Sequence, residues 1–339
     1  MPDTALAEWL YEDGIGEARA ALVEDGAIVE AHIETESGGA RPGAICEARL
    51  AEILPNRRTG RLELVGGEEA LIDPLPAGVT EGATLRVEIV RSAIPEPGRR
   101  KRARAKPAAK TKTAATATAL RDRLTETGTP VQTLAAHDPD ALEAAGWSEL
   151  LEQAATGAVP FPGGALRIAL TPAMAVIDVD GALPPAELAR AGARAAGAAI
   201  RKFDIGGSTV IDLPSLASKA ERQAAAEALD AALPQPFERT AVNGFGLLQI
   251  VRRRVRPSLL ELAQHESAPT AARALLRRAE RVAGSGARTL TAHPAIIAHL
   301  EGRPEWRAAL ERRIGAPVAL RADPATGLWG GHISAEHPA

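Results

Sequence analysis

The chain has 339 residues, a formal net charge of −3 and ordinary globular proportions, 45% hydrophobic and 24% charged, enough for about two domains with cores of their own. A single cysteine, Cys46, excludes a disulfide framework and a Cys-rich zinc site. The sequence has no apolar run long enough for a membrane helix, its acidic start is unlike a signal peptide, and 3% aromatics argue against a dense base-stacking surface. The expected compartment is the cytoplasm, with no membrane partner.

The small net charge hides segregation. Residues 1–30 hold eight acids and one base, residues 99–112 hold eight bases and no acid, and residues 239–313 hold 14 Arg against six Glu. Blocks of this kind suit a polyanionic partner, and they equally suit solvated helix faces and a tail-like linker.

In chain order, residues 15–34 predict a hairpin, two alternating stretches around the turn Glu24-Asp25-Gly26. SGGARPG (37–43) is a loop. Residues 44–93 hold four short strands, ICEARLAEIL, GRLELV, EALIDPL and TLRVEIVRS, with the size and density of a five-stranded OB-type barrel. Residues 94–118 are rich in Pro, Ala, Lys and Thr and read as a basic disordered linker. A helical region follows at 138–155, with Asp138 or Asp140 as its cap.

Residues 164–256 then run β-β-α-β-α-β: GALRIALT, AMAVIDVD, an Ala-rich helix opened by Pro184 and Pro185, STVIDL, a helix over 216–233, FERTAV and GLLQIVRRRVR. This order predicts an α/β core. The last block predicts a helix over 270–283, strand 287–292, one helix over 294–314, strand 317–321 and an edge strand or tail.

Chemistry concentrates where strands of the α/β core end in acids. Asp178 and Asp180 lie two apart on one strand and share a side, and Asp212 interrupts an apolar run. Ligands of open α/β sheets sit at strand carboxyl ends, where such carboxylates suit Mg²⁺ and a phosphodiester substrate. The same residues also suit strand termination and helix capping. Arg252, Arg253, Arg254 and Arg256 fit phosphate contacts or a solvated edge strand, and Arg99, Arg100, Lys101 and Arg102 open the basic run. His293 and His299 are six apart, Ser215 lacks a nucleophile elbow, Gly206-Gly207 and Gly244 read as turn glycines, and Cys46 reads as packing.

IRKFDIGGSTVIDLPSL (200–216), GGALRIALTPAMAVIDVDG before it and NGFGLLQIVRRRVRPSL after it resemble, in order, the motifs of the ribonuclease E/G family, and GEARAALVEDGAIVEAHIE is similar to its opening hairpin. The resemblance implies an RNase-H-like catalytic core with an inserted OB-type β-barrel and a small C-terminal α/β domain. Its expected limits are a hairpin at 1–40 packed on the core, the barrel at 41–93, the linker at 94–118, the catalytic domain at 119–264 and the C-terminal domain at 265–339. The implied activity is magnesium-dependent endonucleolytic cleavage of single-stranded RNA, leaving 5′-phosphate and 3′-hydroxyl ends. Asp178 and Asp212 match the family's metal-binding aspartates, and Asp180 stands where the family has a supporting Asn.

The form is compact: the segment carrying the family's 5′-end sensor is replaced by the linker and a short helix. No cysteines stand where the family has its zinc link, and the family's aromatic barrel positions read Arg61 and Leu71. An RNA-binding protein of the same fold with weak or no cleavage is the alternative, and the oligomeric state is left open.

Overall fold

The computed structural model describes residues 7–36, 40–109, 111 and 113–338. The elements, in chain order, are β1 (Glu8–Asp13), β2 (Glu17–Glu24), β3 (Ala27–Thr35), β4 (Ile45–Ile53), β5 (Gly60–Leu64), β6 (Glu69–Ile72), β7 (Thr84–Arg91), β8 (Ile94–Glu96), β9 (Arg99–Lys101) and β10 (Ala103–Pro107). There follow α1 (Leu120–Thr125), β11 (Val131–Thr133), α2 (Ala141–Ala144), α3 (Trp147–Thr156), β12 (Ala158–Phe161), β13 (Gly164–Leu170), β14 (Ala175–Gly181), α4 (Pro185–Lys202), β15 (Gly207–Asp212), α5 (Lys219–Ala232), β16 (Glu238–Arg239) and β17 (Leu247–Arg252). The chain ends with α6 (Leu259–His265), α7 (Ser267–Arg281), β18 (Ser285–Ala292), α8 (Pro294–Glu301), α9 (Pro304–Ile314), β19 (Val318–Ala322) and β20 (His332–His337). None of the helices described is long and apolar enough to cross a membrane.

These elements form two compact units, Met1–Glu36 with Leu124–Ala155 and Leu262–Ala339, and Ser37–Arg123 with Thr156–Glu261. The division corrects the expected limits. The hairpin belongs with residues 124–155 and the C-terminal segment, and the span 119–264 is shared between the two units. The cause lies in long-range pairing: β1 pairs with β11 in parallel, and arginines of α7 reach acids of β1 and β2.

In the first unit β11, β1, β2 and β3 form one sheet, with the β2–β3 hairpin turning at Asp25-Gly26, both at positive φ. A core of Leu275, Leu276, Leu290, Ile296, Ile297, Leu300, Trp306 and Leu310 ties α7, α8 and α9 to β18. The helix expected over 294–314 is two helices, because Gly302 caps α8 and Pro304, which lacks an N–H, opens α9. The helical region at 138–155 also breaks in two, at Gly146 (φ +96°), and Asp140 is the cap that forms, accepting from the Glu143 N–H at 3.0 Å. The expected C-terminal edge strand is β20.

In the second unit β4, β5, β6, β10 and β7 close a five-stranded barrel in that order, β7 returning to β4, with β6 and β10 parallel. Leu50, Leu62, Ile72, Val87 and Ile89 fill it. The fifth strand, β10, overturns the expectation of a disordered linker at 94–118. Ala103 and Ala105 enter the barrel core while Arg102, Arg104 and Lys106 point out, so period-2 alternation sits inside a run that composition alone marks as basic and disordered. Residues 94–101 form the small β8–β9 hairpin, and Ala115 bridges Ile45. Lys110, Lys112 and residues 37–39 of the SGGARPG loop lie outside the described residues.

The second sheet of this unit has the order β12-β13-β14-β15-β17-β16, mixed rather than parallel, since only β14 and β15 run together. The β-β-α-β-α-β order of the sequence is present as β13, β14, α4, β15, α5 and β17. Strand β12 was not expected. Helix α4 packs on the face carrying Val179: a Cβ on Gly192 would lie 2.3 Å from Val179 Cγ1, so only glycine admits this approach. α5 opens with a capping box, Ser218 with Glu221, and docks on α4 at Gly197.

Candidate functional site

The sheet alternates cleanly. Ile177, Val179, Thr209, Ile211, Leu248 and Ile250 are buried beneath the helices, while their neighbours along each strand face the other way. That opposite face is open, and it carries the acids singled out from the sequence. Asp178 is the register partner of Asp212 across the parallel β14–β15 pair. Partners in register on adjacent strands point to the same side about 5 Å apart, so the two carboxylates stand side by side. Asp212 is the last residue of β15, whereas Asp178 is the middle residue of β14 and the last one paired with β15. Asp178 is half-buried and Asp212 exposed, and no hydrogen bond or ion pair to another described residue occupies either one.

Asp180 shares the face but takes a different partner. Arg167 of β13 sits opposite Asp178 in register and sets its Nε 3.4 Å from Asp180 Oδ2. The negative charge of Asp180 is thus matched locally by a cation that composition and motif reading did not single out. The open face therefore reads, across the strands, Arg167, Asp178, Asp212 and Leu247. Among the described residues no group of three or more His, Cys, Asp and Glu gathers to hold a metal.

The loop that leads into β17 is built tightly against the strand end carrying Asp212. Leu213 N–H donates to Gly246 O at 3.2 Å, and Gly246 has φ +91°. A Cβ there would lie 2.1 Å from Leu213 O, so glycine is required twice over.

The four arginines of VRRRVR separate. Arg252 donates to the carbonyls of Ile200 and Ile205 at 3.4 and 3.2 Å, closing the end of α4. Arg254 is ion-paired to Glu261, whose carboxylate also accepts from Ser258 N–H. These two are held by the fold rather than presented to a partner. Arg253 is exposed with no partner among the described residues, and Arg256 is half-buried. Gly206 serves close approach, since a Cβ there would meet the Arg254 backbone at 2.9 Å, while Gly207 takes a positive φ of +90°.

The other basic group lines a groove of about 620 Å³ between the barrel and the β8–β9 hairpin, walled by Arg99, Arg100, Lys101 and Arg102 with Leu71, Glu68 and Glu69. Glu96 draws in Lys101 at 2.5 Å and Arg99 at 3.4 Å, and Glu69 holds Arg102 at 2.5 Å. Arg61 and Leu71 are register partners on the outer face of β5 and β6, and Arg61 is tied to Glu52 and Glu69. Next along this belt Arg104 is the register partner of Leu71 on one side and of Arg91 on the other. Burial lowers the Arg91 pKa, and the nearby charges of Arg104 and Arg254 lower it further, against Glu96 and Glu261. The outer barrel strip thus gathers Arg61, Arg91, Arg102 and Arg104 beside Glu52 and Glu69. Cys46 sits half-buried in β4, its thiol pKa raised by burial, as suits packing. His293 caps α8 through Nδ1, and His299 stacks edge-on to Trp306.

No protein-family model matches this chain, and no curated protein matches it.

Proposed function

We propose that the chain is a magnesium-dependent endoribonuclease that cuts single-stranded RNA in the cytoplasm, built on an RNase-H-like sheet with an inserted OB-type barrel and a small C-terminal α/β domain. The observation that carries the reading is the register of Asp178 with Asp212, the last pair of the parallel β14–β15 ladder and, at Asp212, the carboxyl end of β15, on a sheet face open to a substrate.

The donor set fits magnesium. Two hard carboxylate oxygens side by side, with no imidazole or thiolate among them, suit an ion that takes one or two carboxylates and completes its shell with water and phosphate oxygens. When bound, that ion would supply Lewis acidity and lower the pKa of water, so that the hydroxide formed on loss of a proton attacks the phosphodiester and leaves 5′-phosphate and 3′-hydroxyl ends. Asp178 and Asp212 would hold it. Arg167, opposite Asp178, carries the positive charge nearest the pair in register and is placed to bind a non-bridging phosphate oxygen. Asp180 holds Arg167 in that position.

Binding along the strand falls to the barrel. Its closing order and the parallel β6–β10 pair agree with an OB-type barrel, a fold that takes oligonucleotides on its second and third strands. Arg99, Arg100, Lys101 and Arg102 line the adjacent groove, and phosphate contacts from such residues position a strand without reading its bases.

A second reading, an RNA-binding protein with weak or no cleavage, is favoured by the pairing of Asp180 with Arg167, which leaves two carboxylates for a metal. Incubating the full chain with an end-labelled single-stranded RNA, with Mg²⁺ and with chelator, separates the two. Fragments formed only with Mg²⁺ support the nuclease, whereas a retained but intact strand in both supports the second reading.

A further inference from the structure

Phe245 is 82% exposed in a chain with only nine aromatic residues. An aromatic ring left in water forgoes burial worth more than almost any other side chain offers, so its setting matters. That setting is not loose. Asn243 Oδ1 accepts from Phe245 N–H at 2.9 Å and from Leu247 N–H at 3.0 Å, and Gly246 N–H donates to Asn243 O at 3.2 Å. On the far side Gly246 is locked against Leu213, the residue after Asp212. Four hydrogen bonds thus fix the turn that carries this exposed aromatic, one residue from a direct hydrogen bond to the neighbour of Asp212. Leu247, which follows, is the register partner of Asp212 and is 37% exposed on the open face.

We propose that Phe245 is the stacking platform for one unpaired base of a single-stranded RNA lying across the Asp178–Asp212 pair. The proposal rests on the reading of that pair as an RNA site. It supplies what the outer barrel lacks, since Arg61 and Leu71 offer no aromatic face. Every base has a π-face, so a single platform selects for an unstacked strand and is tolerant of sequence. A paired base, already stacked in its helix, would have to be extruded first. Phe245 acts here as a specificity-determining contact, choosing unpaired strands over duplex.

The test uses the full chain and a series of single-stranded RNAs carrying 2-aminopurine at successive positions, in chelator so that no cutting occurs. In the parent one position is quenched on binding. Phe245→Ala removes that quench and weakens binding about tenfold or more. Phe245→Leu, which keeps apolar bulk without a π-face, also loses the quench, and Phe245→Trp keeps it. An abasic nucleotide at the quenched position weakens the parent by a similar factor and leaves Phe245→Ala unaffected. Parent-like binding and quenching by Phe245→Ala, equal behaviour of the Leu variant and the parent, or no binding of the parent to any member overturns the proposal. Failure of the parent to cleave in Mg²⁺ while the stacking results hold overturns the nuclease reading alone.

Discussion

Asp178 and Asp212 face each other across the only parallel pair of a six-stranded sheet, so the strand register alone brings their carboxylates together. In the proposed nuclease their value lies in the reacting state rather than in RNA affinity. Asp178→Asn and Asp212→Asn should each lower single-turnover cleavage by on the order of 10²-fold or more, while RNA affinity in chelator stays within a few-fold. Quench-flow rates and anisotropy titrations on the same preparations check both halves.

Asp180 should behave differently from its neighbour two residues away. Its ion pair with Arg167 joins side chains 63% and 74% exposed. Such a pair contributes about 0–1 kcal/mol. Asp180→Asn should therefore leave urea stability within about 0.5 kcal/mol and keep cleavage within about tenfold of the parent. Arg167→Ala should raise KM more than it lowers kcat, as expected of a side chain that binds phosphate. A loss in Asp180→Asn as deep as in Asp178→Asn would make Asp180 a metal ligand instead.

The basic run divides into parts that bind and a part that builds. Neutralising Arg99, Arg100 and Arg102 to Gln should flatten the salt dependence of RNA binding by about 0.7 in log–log slope for each phosphate that is no longer neutralised. Deleting 99–112 should do far more than that, because it removes β10 and with it the closure between β6 and β7. Circular dichroism and thermal melting distinguish the two: the Gln variant melts like the parent, and the deletion loses the cooperative transition of the barrel.

Much of this architecture was legible where one element carries its own signal. The hairpin at 15–34, four barrel strands and the strands bearing Asp178 and Asp212 follow from local alternation and turn residues. What stayed hidden depends on partners distant in the chain. β10 reads as linker until Ala103 and Ala105 are seen to alternate with Arg104 and Lys106 against β6 and β7. The pairing of Arg277 with Glu12 spans 265 positions, and no local pattern announces it. Arg252 and Arg254 look like phosphate ligands in a run of charge, yet the fold spends them on α4 and Glu261. For the candidate site, the acids were visible and their surroundings were not: Arg167 and Phe245 acquire meaning only through register and turn geometry.

Gly246→Ala tests whether the turn positions the site. The added Cβ would meet Leu213 O at 2.1 Å in a left-handed backbone, and strain of this kind costs about 1–3 kcal/mol. Relief requires the turn or the strand end at Asp212 to move. The variant should remain folded, lose stability by about that amount in urea, and cleave at least tenfold more slowly. Parent-like cleavage with reduced stability would separate the turn from the site.

The last prediction concerns acid stability of the first unit. Here Glu12, Glu17 and Asp140 are buried or half-buried with Arg19, Arg273, Arg277 and Arg281; Arg273 reaches Glu17 at 2.8 Å and Arg281 reaches Glu12 at 2.7 Å. Arg19 binds Glu12 and Glu17 together, and Gly14 leaves it room, since a Cβ there would lie 2.5 Å from its guanidinium. Burial alone would raise the pKa of Glu12, but Arg19, Arg277 and Arg281 outweigh it and hold the carboxyl below its ordinary 4.5. Asp140 is likewise held below 3.8, burial being outweighed by Arg277 and the Glu143 N–H. A lowered carboxylate binds fewer protons folded than unfolded, so it stabilises above its ordinary value and that contribution drains away as pH falls through the lowered one. Glu280 has the opposite sign: burial raises it above 4.5 despite Arg313 at 3.0 Å, so its contribution falls as pH rises through the raised value. As pH rises, stability of the first unit should therefore climb steeply below about pH 4.5 and flatten or dip just above it. Glu280→Gln should remove the dip and keep the acid limb. Glu12→Gln should shallow the acid limb and cost about 3–5 kcal/mol at neutral pH, because it strands buried guanidinium charge. Urea titrations from about pH 3 to 8, spanning the carboxylate range and followed by hydrogen exchange in α7, read both, and an unchanged acid limb in Glu12→Gln would refute the account.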